Sequence, residues 1–127
     1  MNELLLMGSA LYNYINTLGT ITTYYQKAPQ SATVPFVIIQ LMSATDDYSF
    51  TDQGINADYS IKVISDRNFP LHAIQLYGST HSLIQDGTIA VEGNSVLRIR
   101  RESIFQFEDS EHFWNVGGIY NFNIWQT

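Results

Sequence analysis

The chain has no cysteine, three prolines, and six basic residues against twelve acidic ones in 127 positions. Each shortage excludes something. Without cysteine there is no disulfide, no thiol nucleophile and no thiolate metal site, and a reducing compartment is compatible with the composition. A formal charge of −6 leaves too few Lys and Arg for broad phosphate contact, which excludes a generic DNA or RNA binder. Long apolar runs are missing too. The opening "MNELLLMGSALYNYI" has an acidic residue where a signal peptide would have a basic one, and its apolar run breaks after Met7 at Gly8 and Ser9. We expect no signal peptide and no membrane span.

Chemical signatures are equally scarce. There is no G-x-S-x-G, no G-x-x-x-x-G-K-[ST] and no G-x-G-x-x-G, so nucleophile elbows and phosphate loops are absent. Of the three histidines, His72, His81 and His112, the first two are nine positions apart on one expected helix and point to different faces. No metal site is expected, and each histidine reads as structural or surface. The acidic pairs Asp46–Asp47 and Glu108–Asp109 sit in polar stretches, without the apolar pocket that raises a carboxyl pKa for acid–base work. We expect no enzyme and no cofactor.

What is present is a pattern of alternating faces. The length suits one domain over residues 1–127. From Asn2 to Leu18, apolar residues at Leu4, Leu11, Ile15 and Leu18, widened by Leu5 and Leu6, predict an amphipathic helix ended near Gly19. "TITTYY" predicts a brief strand, and the stretch from Pro29 to Pro35 a polar connection. "FVIIQLMSA" is apolar on both parities, as in a strand buried on two faces at the centre of a sheet. "TDDYSFTDQG", with Asp46, Asp47 and Asp52, reads as an acidic loop without periodicity. After it, Ile55, Ala57, Tyr59, Ile61 and Val63 share one face of a strand and Asn56, Asp58, Ser60 and Lys62 the other.

A second helix is predicted from Pro70 to a stop at Gly87, with Ala73, Ile74, Leu76, Tyr77, Leu83 and Ile84 as its buried stripe. In "VLRIRRESIFQF", Leu97, Ile99, Phe105 and Phe107 fall on one parity and Arg98, Arg100, Glu102 and Gln106 on the other. In "GGIYNFNIWQT", Tyr120, Phe122 and Ile124 oppose Asn121, Asn123 and Trp125. These two strands, joined by "EDSEHFWNVG", predict a long antiparallel hairpin. The order α-β-β-β-α-β-β implies an α+β domain, a mainly antiparallel sheet with two helices on one face.

Two features stand out from this background. Trp125, on the Asn-bearing face, is either an interface anchor or packed under a neighbouring element. Arg98, Arg100 and Arg101 cluster within four positions of an acidic chain. Arg98 and Arg100 share the outer parity with Glu102 and Glu108, as a self-paired ladder would. Arg101 lies on the core parity, where a guanidinium must reach an edge, a carboxylate or another chain.

The order of these elements, with "LYNYINTLG", "YYQKAPQSATVPFVIIQLMSA", "ADYSIKVISD", "LRIRRESIFQFED" and the closing "GGIYNFNIWQT", resembles the tail-completion, or tail-terminator, proteins of long-tailed bacteriophages. Ala28 to Pro35 precede a strand as the corresponding polar run does in that family. Tyr120 to Trp125 carry the same aromatic–polar rhythm. The resemblance implies a virion structural protein at the tail–neck junction, assembled in the host cytoplasm. It also implies a ring of six identical subunits capping the head-proximal end of the tail tube, with the tube protein and the head connector as partners. DNA would only pass through the lumen. In such a ring, "RIRR" can meet "DDYSFTD" or "EDSE" of the next copy, so Arg98, Arg100, Arg101, Asp46, Asp47, Asp52, Glu108, Asp109 and Trp125 are the candidate interface residues. Two other readings stand beside it: another neck component, such as a stopper or a tube-like protein, and a small ligand-binding or enzymatic α+β domain.

Overall fold

The computed structural model describes residues 2–18, 21–48, 53–65, 70–86, 89, 91 and 94–126. The elements follow the expected order: α1 (Asn2–Leu18), β1 (Thr23–Tyr25), β2 (Phe36–Tyr48), β3 (Gln53–Ser65), α2 (Leu71–Asp86), β4 (Asn94–Glu108) and β5 (Trp114–Gln126). The strands form one sheet ordered β1-β2-β3-β5-β4. Among the described residues β1 runs parallel to β2, and the pairs β2–β3, β3–β5 and β5–β4 are antiparallel. The two expected stops at Gly19 and Gly87 lie outside the described residues.

Both helices cover one face of the sheet because each offers a single apolar stripe. Met7, Leu11 and Ile15, spaced by one turn along α1, are fully buried. At Gly8 the helix approaches β1 so closely that a Cβ would strike the Tyr25 hydroxyl. In α2 the buried residues are Ala73, Tyr77, Thr80 and Ile84, while Ile74, expected in the stripe, is 41% exposed. The stripe of α2 is therefore narrower than its composition suggests. Tyr14 Oη donates to the Leu83 carbonyl at 2.6 Å and ties the two helices together.

Beneath them, Ile55, Ala57, Tyr59, Ile61 and Val63 of β3 are buried as their alternation predicts, opposite Val116, Tyr120, Phe122 and Ile124 of β5. Tyr59 and Phe122 meet edge to face at 5.6 Å, a geometry aromatic pairs prefer. Glycines at 117 and 118 let β5 sit tightly between its neighbours. A Cβ at Gly117 would collide with the Ile61 carbonyl, and one at Gly118 would lie 2.5 Å from the Tyr77 hydroxyl.

Three expectations need correction. β2 is interior but not central, because β3 holds the middle of the sheet. Its double burial is confined to Phe36–Ile39, all under 9% exposed, whereas Met42 is 57% exposed. The acidic stretch through Tyr48 is not a loop, since β2 continues through Asp46 and Asp47 in register with Ile55 and Gly54. Finally, Phe105 and Phe107 do not share a face with Ile99. The β4–β5 register shifts between Arg101 and Ser103, and the extra residue, Glu102, flips every side chain beyond it to the opposite face.

Candidate interaction surface

The face of the sheet turned away from the helices is held together by a ladder of polar side chains. Asp58 of β3 is its hub. Asn121 Nδ2 donates to Asp58 Oδ1 at 2.9 Å, and Ser43 Oγ of β2 donates to Oδ2 at 3.3 Å. Burial alone would push the Asp58 carboxyl up. Hydrogen bonds from Asn121 and Ser43, with the Arg100 charge nearby, outweigh it and hold Asp58 below the usual carboxylate range. One rung along, Asn123 Nδ2 donates to Asn56 Oδ1 at 2.8 Å. Trp125 Nε1 donates to Asn123 Oδ1 at 2.5 Å, and the indole lies over Gly54, where a Cβ would come within 2.7 Å of the ring. Asn and Asp at every second position make such a ladder because a strand returns alternate residues to the same face.

The arginines divide between the two faces. Arg98 Nη2 reaches Asn121 Oδ1 at 3.4 Å, and Arg100 Nη2 lies 3.5 Å from Glu102 Oε2, both at the exposed end of the ladder. Arg101 turns the other way, toward the helices. Its Nη1 contacts the Tyr77 hydroxyl at 3.4 Å, and its guanidinium stacks over the Tyr77 ring at 6.0 Å. Tyr77 and Tyr120 share a hydroxyl–hydroxyl bond of 2.6 Å, and His81 Nδ1 lies 2.7 Å from the Tyr120 hydroxyl. Burial first, then the bond to Tyr77, push the Tyr120 hydroxyl well above its ordinary pKa. The core-parity arginine is thus met by tyrosines of its own chain, and its partner is a hydroxyl rather than a carboxylate.

The remaining predicted residues fall in three places. Asp46 is exposed on the far half of β2, and Asp47 follows it in the strand. Glu108 ends β4 and faces His112 Nδ1 at 3.7 Å, a largely exposed pair. Asp109 closes the β4–β5 turn: its Oδ1 accepts from the Glu111 and Phe113 amides at 2.9 and 3.0 Å, and its Oδ2 accepts from Asn115 Nδ2 at 3.1 Å. Burial opposes its charge, but the Asn115 bond and these amides hold its carboxyl below the usual range. Asp52 lies outside the described residues. The structure therefore brings Arg98 and Arg100 together with Asn121 and Asp58, and leaves Asp46 and Asp47 two strands away from them, across β3 and β5.

Two stretches of sheet edge are left without a partner strand among the described residues. β1 pairs only with Val37–Ile39, so the rest of β2, residues 40–48, has one open side. β4 ends the sheet on the opposite side over its 15 residues. Among the described residues, the exposed large hydrophobics Met42, Ile104 and Phe107 lie on these two edges. Sequence reading did not single out Asp58, Asn56 and Asn123, although their period of two was the signal. Met42 and Ile104 carried no signal, because their exposure follows from strand order.

No group of three or more His, Cys, Asp or Glu among the described residues could hold a metal ion. Among the described residues, no helix is long and apolar enough to cross a membrane. Concavities are present among the described residues. One of about 400 Å³ is lined by Tyr12, Tyr24, Tyr25, Asn13 and Lys27, and one of about 800 Å³ lies under the 28–36 segment beside Asp109 and Phe113. Neither gathers a nucleophile with a base.

Residues 4–127 match the family described as Tail completion protein gp17. Among solved structures, a chain from the virion of a native gene transfer agent (GTA) particle superposes with a TM-score of 0.70 at 13% identity, covering 94% of each chain. At that identity the likeness is one of fold. A search of curated protein sequences gave no match.

Proposed function

Because this chain belongs to the tail completion protein family, structural proteins of phage tails, we propose that it caps the head-proximal end of a tail tube. There it stops tube polymerisation and forms the seat for the head connector, as a ring of six copies and without catalysis. The observation that carries this reading is the distribution of polar groups. They pair with one another along a rigid sheet, by Asp58–Asn121 and Asn56–Asn123, instead of converging on a cavity as catalytic groups do. A sheet that, among the described residues, is open on two opposite sides also supports a ring, because a cyclic assembly needs two different patches on every subunit.

The partners in this reading are the tube protein, the connector and further copies of the chain, at the tail–neck junction of a virion assembled in the host cytoplasm. The charge of −6 suits a lumen through which DNA slides, since unpaired negative charge repels phosphate. The test is a phage unable to make the protein. Its lysate should contain filled heads and separate tails that do not join, some of them overlong. Joined particles with tails of normal length would overturn the proposal, and empty heads as the sole defect would assign the protein to an earlier step.

A further inference from the structure

We propose that neighbouring copies join by sheet extension: β4 of one copy adds as an antiparallel strand to the open half of β2, residues 40–48, of the next. This rests on the ring reading and specifies its seam.

The first support is position. The two open stretches lie on opposite sides of the same sheet, so one copy cannot pair them with each other, while a row of copies can. The second is direction. β2 is antiparallel to β3, β3 to β5 and β5 to β4, so β2 and β4 run in opposite senses. Rotation about a ring axis preserves each strand's sense, and the seam is therefore antiparallel, like the pairs beside it.

The third support is sequence order. Antiparallel pairing brings the end of β2, with Asp46 and Asp47, to the first half of β4, with Arg98 and Arg100. The same alignment brings Met42, 57% exposed, toward Ile104, 60% exposed. Faces agree as well. Asp47 stands at the backbone register of Gly54, in the row of alternate residues that the paired strands continue to Arg98 and Arg100, and Asp46 at that of Ile55, on the face of Arg101. Setting Asp47 opposite Arg100 sets Asp46 opposite Arg101. A two-residue step sets Thr45 opposite Arg100. The arginines have capacity for this contact, because the single long bonds of 3.4 and 3.5 Å leave each fork with further donors. β4 has bulges and charges, which elsewhere blunt an edge. Large apolar side chains exposed on both edges are what a lone edge avoids and a seam covers.

A chain without cysteine allows a direct test by oxidative cross-linking. Arg100→Cys is combined with Asp47→Cys in one variant, with Thr45→Cys in a second and, as control, with the exposed helical Ser79→Cys in a third. Within one copy β2 and β4 are three strand spacings apart, about 14 Å, beyond the reach of a disulfide. Any product of the first two variants therefore joins separate copies. Native mass spectrometry of the unaltered protein and of assembled tails first establishes the ring. We expect at least one β2–β4 variant to give a covalent ladder ending at the closed oligomer, with the control staying monomeric on denaturing gels. Rings without a ladder, or a ladder equal to the control's, overturn the seam and leave the ring standing. A single copy per tail overturns both. An independent readout needs no cysteine: Arg98→Glu with Arg100→Glu should weaken self-association about tenfold with an unchanged circular dichroism spectrum. Association at full strength across a salt series contradicts the seam.

Discussion

β2 changes character along its length. Residues Phe36–Ile39 are buried on both faces, with β1 alongside and the 28–35 segment and α1 above and below. From Met42 to Asp46 the same strand is exposed and carries Ser43, Thr45 and Asp46. Propensity does not explain the change, since both halves are extended and both pair with β3. What differs is cover: β1 is three residues long, and the apolar run ends where its shelter ends. An interior strand thus becomes an edge strand midway, and its composition records where. β5 and β4 make the same contrast between whole strands. β5 is buried from Asn115 to Gly118 and at Tyr120–Phe122, while β4, its neighbour, is largely exposed.

Substitutions that cross this boundary test it. Ile39 is fully buried, and Ile39→Ala should cost about 2–5 kcal/mol of unfolding free energy, measured by denaturant titration. Met42→Ala, three residues along the same strand, should change it by less than about 0.5 kcal/mol. Equal costs would erase the distinction between the two halves. Tyr120→Phe comes next. It removes the hydroxyl shared with Tyr77 and His81 and should cost about 1–3 kcal/mol, because it strips a partner from buried polar groups.

On the polar face of the sheet, effects should be smaller and depend on pH. The Asp58 carboxyl titrates below its ordinary value of 3.8 when folded. Its contribution to stability is therefore complete above that value and is lost as pH falls through the lowered folded pKa. Asp58→Asn should flatten the acid side of the melting-temperature profile below about pH 4 and leave the rest nearly parallel. A variant whose acid limb matches the parent would place the acid sensitivity elsewhere. The smallest effect should come from His112, which adopts φ 68° in the β4–β5 turn. His112→Gly should be neutral or stabilising by up to about 1 kcal/mol, because glycine adopts that conformation without a Cβ penalty. Loss of particle assembly with a stable fold would instead reveal a role in docking.

Much of the fold was legible because most of the chain obeys one period at a time. The alternation from Ile55 to Val63 and from Tyr120 to Ile124, and the stripe through Leu11 and Ile15, each fix a buried face from local spacing alone. The interruptions were not legible. "RRESIFQF" reads as unbroken alternation, but one bulged residue, Glu102, reverses the faces of Phe105 and Phe107. Strand order was hidden for another reason. That β5 lies between β3 and β4 depends on pairs such as Asp58–Asn121, 63 residues apart, which no local window contains. The candidate site was half visible. The parity of Arg101 correctly set it toward the core side, but its partners, Tyr77 and Tyr120, lie on a helix and a strand whose meeting only the fold decides.

The central claim, a cap at one end of the tail, is tested most directly on the particle itself. Purified virions are labelled with a gold-conjugated antibody against this chain and imaged by electron microscopy. The predicted result is a single focus of label at the head–tail junction, on joined particles and on one end of free tails. Label distributed along the whole tail would make the protein a tube subunit and contradict the cap.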